Sequence, residues 1–334
     1  MAFGATILDA EGLRLTAEEK ALFKDTRPFG FILFARNIDS PDQVRALCDE
    51  FREAAGHECL ITIDQEGGRV QRIWAPMARN WKPPLDHVRA AGAGALPAMY
   101  LRARLIADEL RSLGINSNCA PVVDIATKGT HPFLKNRCYG ETLDDVVALA
   151  RATAKGHLDT GVLPVMKHMP GHGRSTLDTH HDLPRVKDAA EDLRATDFAA
   201  FAGLRNLPMA MTAHLVFEAF DDRPATQSPV MMNLIRSEIG YDGLVMTDDL
   251  SMNALSGTAA DRTRAALVAG VDVALYCNAS LADRIAVAEE AGELSEAGQR
   301  RALAALNRLQ EALPLDIDAA EEELNALMGG EVYG

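Results

Sequence analysis

LPVMKHMPGHGRSTLDTHHDLP, residues 163–184, sets a short apolar run against a loop crowded with ionisable side chains. The run from Leu163 to Met166 ends in Lys167-His168. A Pro-Gly-His-Gly turn follows, then Asp178-Thr179-His180 and Asp182. Four of the nine histidines fall between His168 and His181, a density that a merely solvated loop does not need. Parallel α/β barrels present reactive groups in this way: the packed strands below hold the loop, and the loop at the strand end carries the polar side chains. The stretch therefore reads as part of an enzyme on an α/β scaffold.

The same pattern recurs outward in both directions. Nearly continuous apolar runs at 29–35, 59–64, 115–124, 162–167, 209–214, 243–248 and 272–277 read as strands buried on both faces. Amphipathic stretches at 41–55, 97–113, 143–160, 190–204, 229–239 and 259–269 read as the helices between them. Repeated strand-then-helix order gives a parallel sheet. Seven or eight such units in 334 residues predict an α/β fold of the closed (β/α)8 TIM-type barrel, more than a doubly wound open sheet. No G-x-G-x-x-G follows an early strand, which weighs against a dinucleotide site. The tail, about 281–330, is rich in Ala, Glu and Leu and reads as helices packed on the outside. With no Pro/Ser-rich linker, residues 1–334 read as a single catalytic domain.

Composition removes several function classes. The net charge of −14 is the wrong sign for binding phosphate backbones, so nucleic acid is not an expected partner. No apolar run approaches the roughly 20 residues of a spanning helix, and the acidic N-terminus is not a secretory signal, so no membrane partner is expected. Cys48, Cys59, Cys119, Cys138 and Cys277 are odd in number and lack C-x-x-C spacing. They read as reduced thiols of a cytoplasmic protein. No pattern implies a cofactor or sets an oligomeric state.

In a parallel barrel the C-terminal strand ends converge on one mouth. Here those ends read Arg36-Asn37, Asp64-Gln65-Glu66, Asp124, Lys167-His168, His214, Asp248-Asp249 and Asn278. Wet strand ends explain any one of these; the whole set is harder to explain without a site. In Met246-Thr247-Asp248-Asp249-Leu250, strand alternation sends the two aspartates to opposite sides. One can serve as a nucleophile while the other braces the loop; a surface turn with two solvated acids is the alternative. In Asp178-Thr179-His180, residues two apart face the same way, so Asp178 can fix the tautomer of His180 and make it a proton donor and acceptor. An ordinary polar loop, or metal binding by His168, His172, His180, His181 and Asp182, are the alternatives. The spacing lacks the helical H-x-x-x-H form, so no metal is expected.

The stretch Ile63-Asp64-Gln65-Glu66-Gly67-Gly68-Arg69-Val70-Gln71-Arg72 turns on two glycines and brings arginines back towards an acidic strand end. Asp64 can accept from a polyol and Arg72 can donate to it. Glu66 and Arg69 are expected to form a structural ion pair. Lys167-His168 is a donor pair at the fourth strand end. Trp74 and Trp81 are either sugar-stacking platforms or packing residues.

KHMPGHG with DTHHDLP, IDQEGGRVQR, NRCYG and MTDDLSM, in that set and spread over about residues 29–254, resemble the family 3 glycoside hydrolases of the bacterial β-N-acetylglucosaminidase type. Met169 stands where the family usually has an aromatic, and Cys138-Tyr139 where it commonly has Ser-Phe. Neither touches a group expected to react. The resemblance implies a retaining β-N-acetylhexosaminidase that releases terminal β-linked N-acetylglucosamine from peptidoglycan fragments in cell-wall recycling. It implies that Asp248 attacks the anomeric carbon to form a covalent glycosyl-enzyme. It gives His180 the acid/base role and Asp178 that of its dyad partner, where retaining enzymes ordinarily use a second carboxyl. It assigns Asp64, Arg72, Arg137, Lys167 and His168 to sugar binding, the partner being a small carbohydrate. The glycines at 171 and 173 would let the loop close over bound sugar and deliver His180. Phosphate could replace water as acceptor, since an imidazole base does not repel it as a carboxylate would. The rival readings are a β-glucosidase of the same family, a metal-dependent barrel hydrolase, and a sugar-binding barrel without activity.

Overall fold

Each apolar run becomes a strand because both of its faces leave water, one against an outer helix and one against the barrel interior. The computed structural model describes residues 2–175 and 183–334. Its centre is built from eight parallel strands: β1 (Gly4–Leu8), β2 (Pro28–Leu33), β3 (Leu60–Ile63), β4 (Ser117–Asn118), β5 (Leu163–Met169), β6 (Met209–Thr212), β7 (Leu244–Met246) and β8 (Ala274–Leu275). They pair as two sheets, β8-β1-β2-β3 and β4-β5-β6-β7. Backbone hydrogen bonds cross both seams. Asn116 N and Cys119 N donate to Ile61 O and Ile63 O at 3.1 and 2.9 Å, and Thr247 N donates to Val273 O at 3.0 Å. A parallel bridge pairs Met246 with Val273. The strands thus run round in chain order, as a TIM-type (β/α)8 barrel requires.

Side chains alternate across each strand, and the core divides accordingly. Ala5 and Ile7, Leu163 and Val165, Met209 and Met211, and Leu244 and Met246 fill the interior. Leu8, Met166, Ala210 and Val245 join the shell packed against the helices. The β2–β3 approach is close enough that a Cβ on Gly30 would lie 2.6 Å from Leu60 O, so no larger residue fits there.

Local signals set the helix ends. Ser40 caps the helix Pro41–Ala55, with Pro at its first turn, and Gly56 in the left-handed region ends it. Thr258 and Asp261 form a capping box on the helix Ala259–Ala269, which Gly270 stops.

The structure departs from the sequence reading in four places. The first strand, β1, was not expected from GATIL, a run of only five residues that opens on Gly-Ala. The run at 115–124 contributes only Ser117–Asn118 and a bridge at Val122 to the ladder, because Pro121 has no N–H to donate. The stretch at 190–204 is interrupted by a π-helical turn over Arg194–Phe198. The tail does more than pack outside. Leu294, Ala302 and Ala305 join the interior cluster, Phe3 N donates to Gln299 Oε1 at 2.9 Å, and Arg301 binds Asp272 at 3.0 Å. The helix Glu296–Leu306 therefore covers the N-terminal end of the barrel and leaves the other end open. No described helix is long and apolar enough to cross a membrane.

Candidate active site

At the open end, the top of the interior forms the floor of a cavity of about 290 Å³, with Ile32, Met211 and Leu275 beneath it. Asp64, Arg72, Arg137, Lys167, His168 and Asp248 all line it. Six positions spread over 185 residues of chain are thus brought to one surface. Asp178 and His180 lie outside the described residues.

Asp64 follows β3. Its carboxylate accepts from Lys167 Nζ at 2.8 Å and from Arg72 Nη2 at 3.0 Å. Burial would raise its pKa, but the charges of Lys167 and Arg72 hold it well below the usual carboxylate range. Arg72 reaches back because Gly67 and Gly68, at φ of 102° and 58°, take the turn. Gln65 fixes the returning strand, with its Oε1 accepting from Arg72 N and Ile73 N at 3.0 and 3.1 Å.

Glu66 forms a structural ion pair, though with other partners than Arg69. Its two oxygens accept from Arg137 Nε and Nη2 at 3.0 and 2.9 Å, and Lys167 Nζ lies 2.6 Å away. Arg69 instead lies over the Phe133 ring, 3.9 Å from its centroid, on the cavity wall. Burial opposes the Lys167 ammonium, yet Asp64 and Glu66 keep its pKa raised. Among the described residues two of its three N–H donors are engaged, by these acids.

His168 is held from two sides. Its Nδ1 lies 2.7 Å from Asp124 Oδ2, and Arg137 Nη2 lies 3.3 Å from its Nε2. The carboxylate beside Nδ1 draws a ring N–H to that side. Asp124 also accepts from the backbone N–H of His172 at 2.7 Å. Burial works against its ionisation, but His168 and His172 keep its pKa low. His172 is buried, and neither ring nitrogen has a hydrogen-bond partner among the described residues. Burial and His168 push its pKa down to about 3, so it is neutral. Asp124, His168 and His172 form a group whose donor atoms lie within 4.8 Å of one another, the geometry a metal ion would need. Two of those donors are already bonded to each other.

Asp248 faces this wall from the end of β7. Among the described residues its carboxylate accepts one hydrogen bond, from Asp249 N at 2.8 Å. Burial raises its pKa, but His214, His168, that N–H and Lys167 together hold it below the ordinary value. It is therefore ionised at neutral pH with lone pairs free, as a nucleophile must be. Asp249 is the brace: its carboxylate accepts from Ser251 N and Oγ at 2.9 and 2.7 Å and from Cys277 N at 3.2 Å. Both aspartates border the cavity, whereas alternation separated them. The ladder stops at Met246, and beyond it the period of two no longer applies.

Some site residues escaped the sequence reading. Phe34 and Phe133 line the cavity and carry guanidinium groups on their rings, Arg72 at 5.4 Å and Arg137 at 5.6 Å. Phe34 ends an apolar run and had that much signal; Phe133 sits in the four-residue helix Pro132–Lys135 and had none. Asp124 was legible as a strand end but not as the partner of His168. Trp81 is a packing residue, buried with its Nε1 donating to Glu109 at 3.2 Å. Trp74 does not border the cavity.

Comparison with known proteins bears on the fold and the family. Residues 5–310 match the model of the glycosyl hydrolase family 3 N terminal domain. A beta-hexosaminidase of Alkalilimnicola ehrlichii is 38% identical over 295 residues, covering 83% of this chain and 82% of that one. The native structure of NagZ from Neisseria gonorrhoeae superposes with a TM-score of 0.86 at 27% identity, over 100% of this chain and 99% of the other. The same Neisseria protein in complex with N-trifluoroacetyl-D-glucosamine gives a TM-score of 0.80 at 27% identity, over 98% and 99% of the two chains.

Proposed function

This chain belongs to glycosyl hydrolase family 3 and is a glycoside hydrolase, and from that premise we propose that it is a retaining β-N-acetylhexosaminidase acting on peptidoglycan fragments during cell-wall recycling. The observation that carries the reading is the opposition inside one cavity of an ionised, sparsely bonded Asp248 and a polar wall of Asp64, Arg72, Arg137, Lys167 and His168. The wall offers the mixed donors and acceptors that sugar hydroxyls and an acetamido group require. The cavity volume, at the small end of ligand sites (~300–1,000 Å³), suits one terminal sugar. The relative solved with an N-acylglucosamine supports that sugar class.

In the proposed reaction Asp248 attacks the anomeric carbon while His180, oriented by Asp178, protonates the leaving oxygen. The glycosyl–Asp248 ester is then opened by water that His180 deprotonates. Arg72 and Lys167 donate to hydroxyls, and Asp64 accepts from one. Five free, buried cysteines fit a reducing compartment, so a cytoplasmic site of action is part of the proposal.

The deciding assay compares an aryl β-N-acetylglucosaminide with the matching aryl β-glucoside. Hydrolysis of the first at a kcat/KM at least about a hundredfold higher is expected, because a site built around one polar substituent rejects an analogue lacking it. Equal rates would replace the reading with a β-glucosidase. The convergence of Asp124, His168 and His172 keeps a metal-dependent hydrolase in view; full activity after exhaustive chelation removes it.

A further inference from the structure

His172 stands in the wall of the sugar cavity and is only 7% exposed. Neither of its ring nitrogens has a hydrogen-bond partner among the described residues. Three other buried histidines differ. His157 bonds Thr153 O and Asn118 Nδ2, both at 2.9 Å. His214 bonds Thr226 Oγ1 at 2.8 Å and Asp249 O at 3.0 Å. His168 is engaged through both nitrogens as well. His87 also lacks partners among the described residues, but it does not line the cavity. A buried polar group without a partner costs stability, and natural folds keep few of them. At the wall of a ligand cavity, the molecule that enters supplies the missing partner.

The backbone fixes the ring in place. His172 N donates to Asp124 Oδ1 at 2.7 Å, and His172 O accepts from Ser175 N at 3.0 Å. The flanking glycines are closely packed. A Cβ on Gly173 would lie 1.9 Å from Ile125 O, and one on Gly171 would lie 2.8 Å from Asp197 Cβ. The ring packs edge-on to His168, with centroids 5.2 Å apart, so it extends the polar wall. Burial and His168 keep it neutral, which gives it one N–H donor and one acceptor. The charge of Asp248 also acts on it, so the ring lies near the group that attacks the anomeric carbon. Sugar hydroxyls and an acetamido group can each bond a neutral imidazole nitrogen.

We propose that His172 is a substrate-contacting residue whose imidazole pairs with a polar substituent of the bound sugar beside the reaction centre. This rests on the proposed N-acetylhexosaminidase activity and adds a contact to it. Removing the imidazole takes no side-chain hydrogen bond from the unliganded protein, because Asp124 is reached through the backbone. Replacing an unpaired buried polar group by an apolar one is close to neutral for the fold. Stability and activity should therefore respond differently to the same substitution.

The test uses two apolar variants of the full chain, His172→Phe, which keeps an aromatic ring beside His168, and His172→Leu, which is closer in volume. On an aryl β-N-acetylglucosaminide both should lose about tenfold in kcat/KM, the scale of one hydrogen bond. The rise in melting temperature that a fixed concentration of N-acetylglucosamine gives the wild type should shrink in both. Without ligand, at least one of the two should melt no lower than wild type. Wild-type kcat/KM in both variants overturns the contact. Melting temperatures several degrees lower in both unliganded variants give the ring a structural role and overturn it as well. Either outcome leaves the hydrolase reading standing. Loss of wild-type activity on chelation would make the ring a metal ligand and overturn both readings. Failure of the wild type to cleave the aryl glycoside overturns the hydrolase reading, and the contact falls with it.

Discussion

The wall built at the ends of β3 and β5 and the wall built at the ends of β7 and β8 use the same residue types in opposite ways. In the first, Arg69 apart, the charges pair in series. Arg72, Asp64, Lys167, Glu66, Arg137, His168 and Asp124 form one unbroken chain of contacts between 2.6 and 3.3 Å. In the second, Asp249 takes the bracing contacts and leaves Asp248 with a single donor among the described residues. Asp64, Glu66 and Asp124 in the first wall and Asp248 in the second are held ionised against burial, but with different consequences. A saturated network fixes geometry and resists change, which suits recognition. An ionised carboxylate with few donors keeps its lone pairs available, which suits attack.

The contrast breaks most visibly at Asp248. Asp248→Ala should lower kcat on an aryl β-N-acetylglucosaminide by on the order of 10⁴-fold or more, the scale for removing a nucleophile, while N-acetylglucosamine still binds within a few-fold of wild type by calorimetry. Equal losses of binding and turnover would make Asp248 part of the recognition wall. On the same reaction, His180→Ala should cost a poor leaving group about 10²–10⁴-fold and an activated aryl glycoside far less, since the latter needs little protonation. Matched losses on both substrates would remove His180 from the acid role.

Lys167→Met tests the paired wall. It leaves Asp64 and Glu66 close together in a buried site without their shared cation. The expected cost is about 3–5 kcal/mol of stability by denaturant titration, the range for breaking a buried pair from one side, along with weakened sugar binding. A variant as stable as wild type would mean the network does not hold the wall.

The ionised carboxylates also set the acid behaviour. Asp64, Glu66, Asp124 and Asp248 all have folded-state pKa values below their ordinary ones. A depressed folded value contributes stability that is fully present above the unfolded value, about 4, and is lost as pH falls through the folded one. The melting temperature should therefore be insensitive to these groups between about pH 7 and 5 and fall below about pH 4. The acid limb of kcat/KM should lie below about pH 4 as well, because Asp248 stays ionised to that point. An acid limb near pH 6 would place a different group in the nucleophile's role. The smallest effect belongs to the brace. Ser251→Ala removes one of the hydrogen bonds to Asp249, worth about 1–2 kcal/mol, and should lower kcat by roughly threefold to tenfold with KM little changed.

How much of this was legible depends on how local each signal is. The helices 41–55 and 259–269 could be read to the residue because Ser40, Gly56, Thr258 and Gly270 carry their own stop and start instructions. The turn at Gly67-Gly68 was equally plain, and it delivered Arg72 to Asp64 as expected. The partner of Glu66 was not plain. Arg69 is three residues away and Arg137 is 71, and short sequence distance favoured the wrong choice. The pairing of Asp124 with His168 and the place of Phe133 on the cavity wall were missed for the same reason: each acts through a neighbour that only the closed ring of strands brings near.

By itself, then, the order of residues determined the alternation of strand and helix, the polar character of the strand ends, and the family to which the motifs resemble. Those are properties of short windows: apolar periodicity, capping chemistry and clustered reactive groups. Tertiary structure alone decided which charges pair, which aspartate is left sparsely bonded, which end of the barrel the Glu296–Leu306 helix covers, and which side chains meet around the cavity at the other end. Pairing depends on distance in space and on what burial removes from water, and no window of sequence contains either.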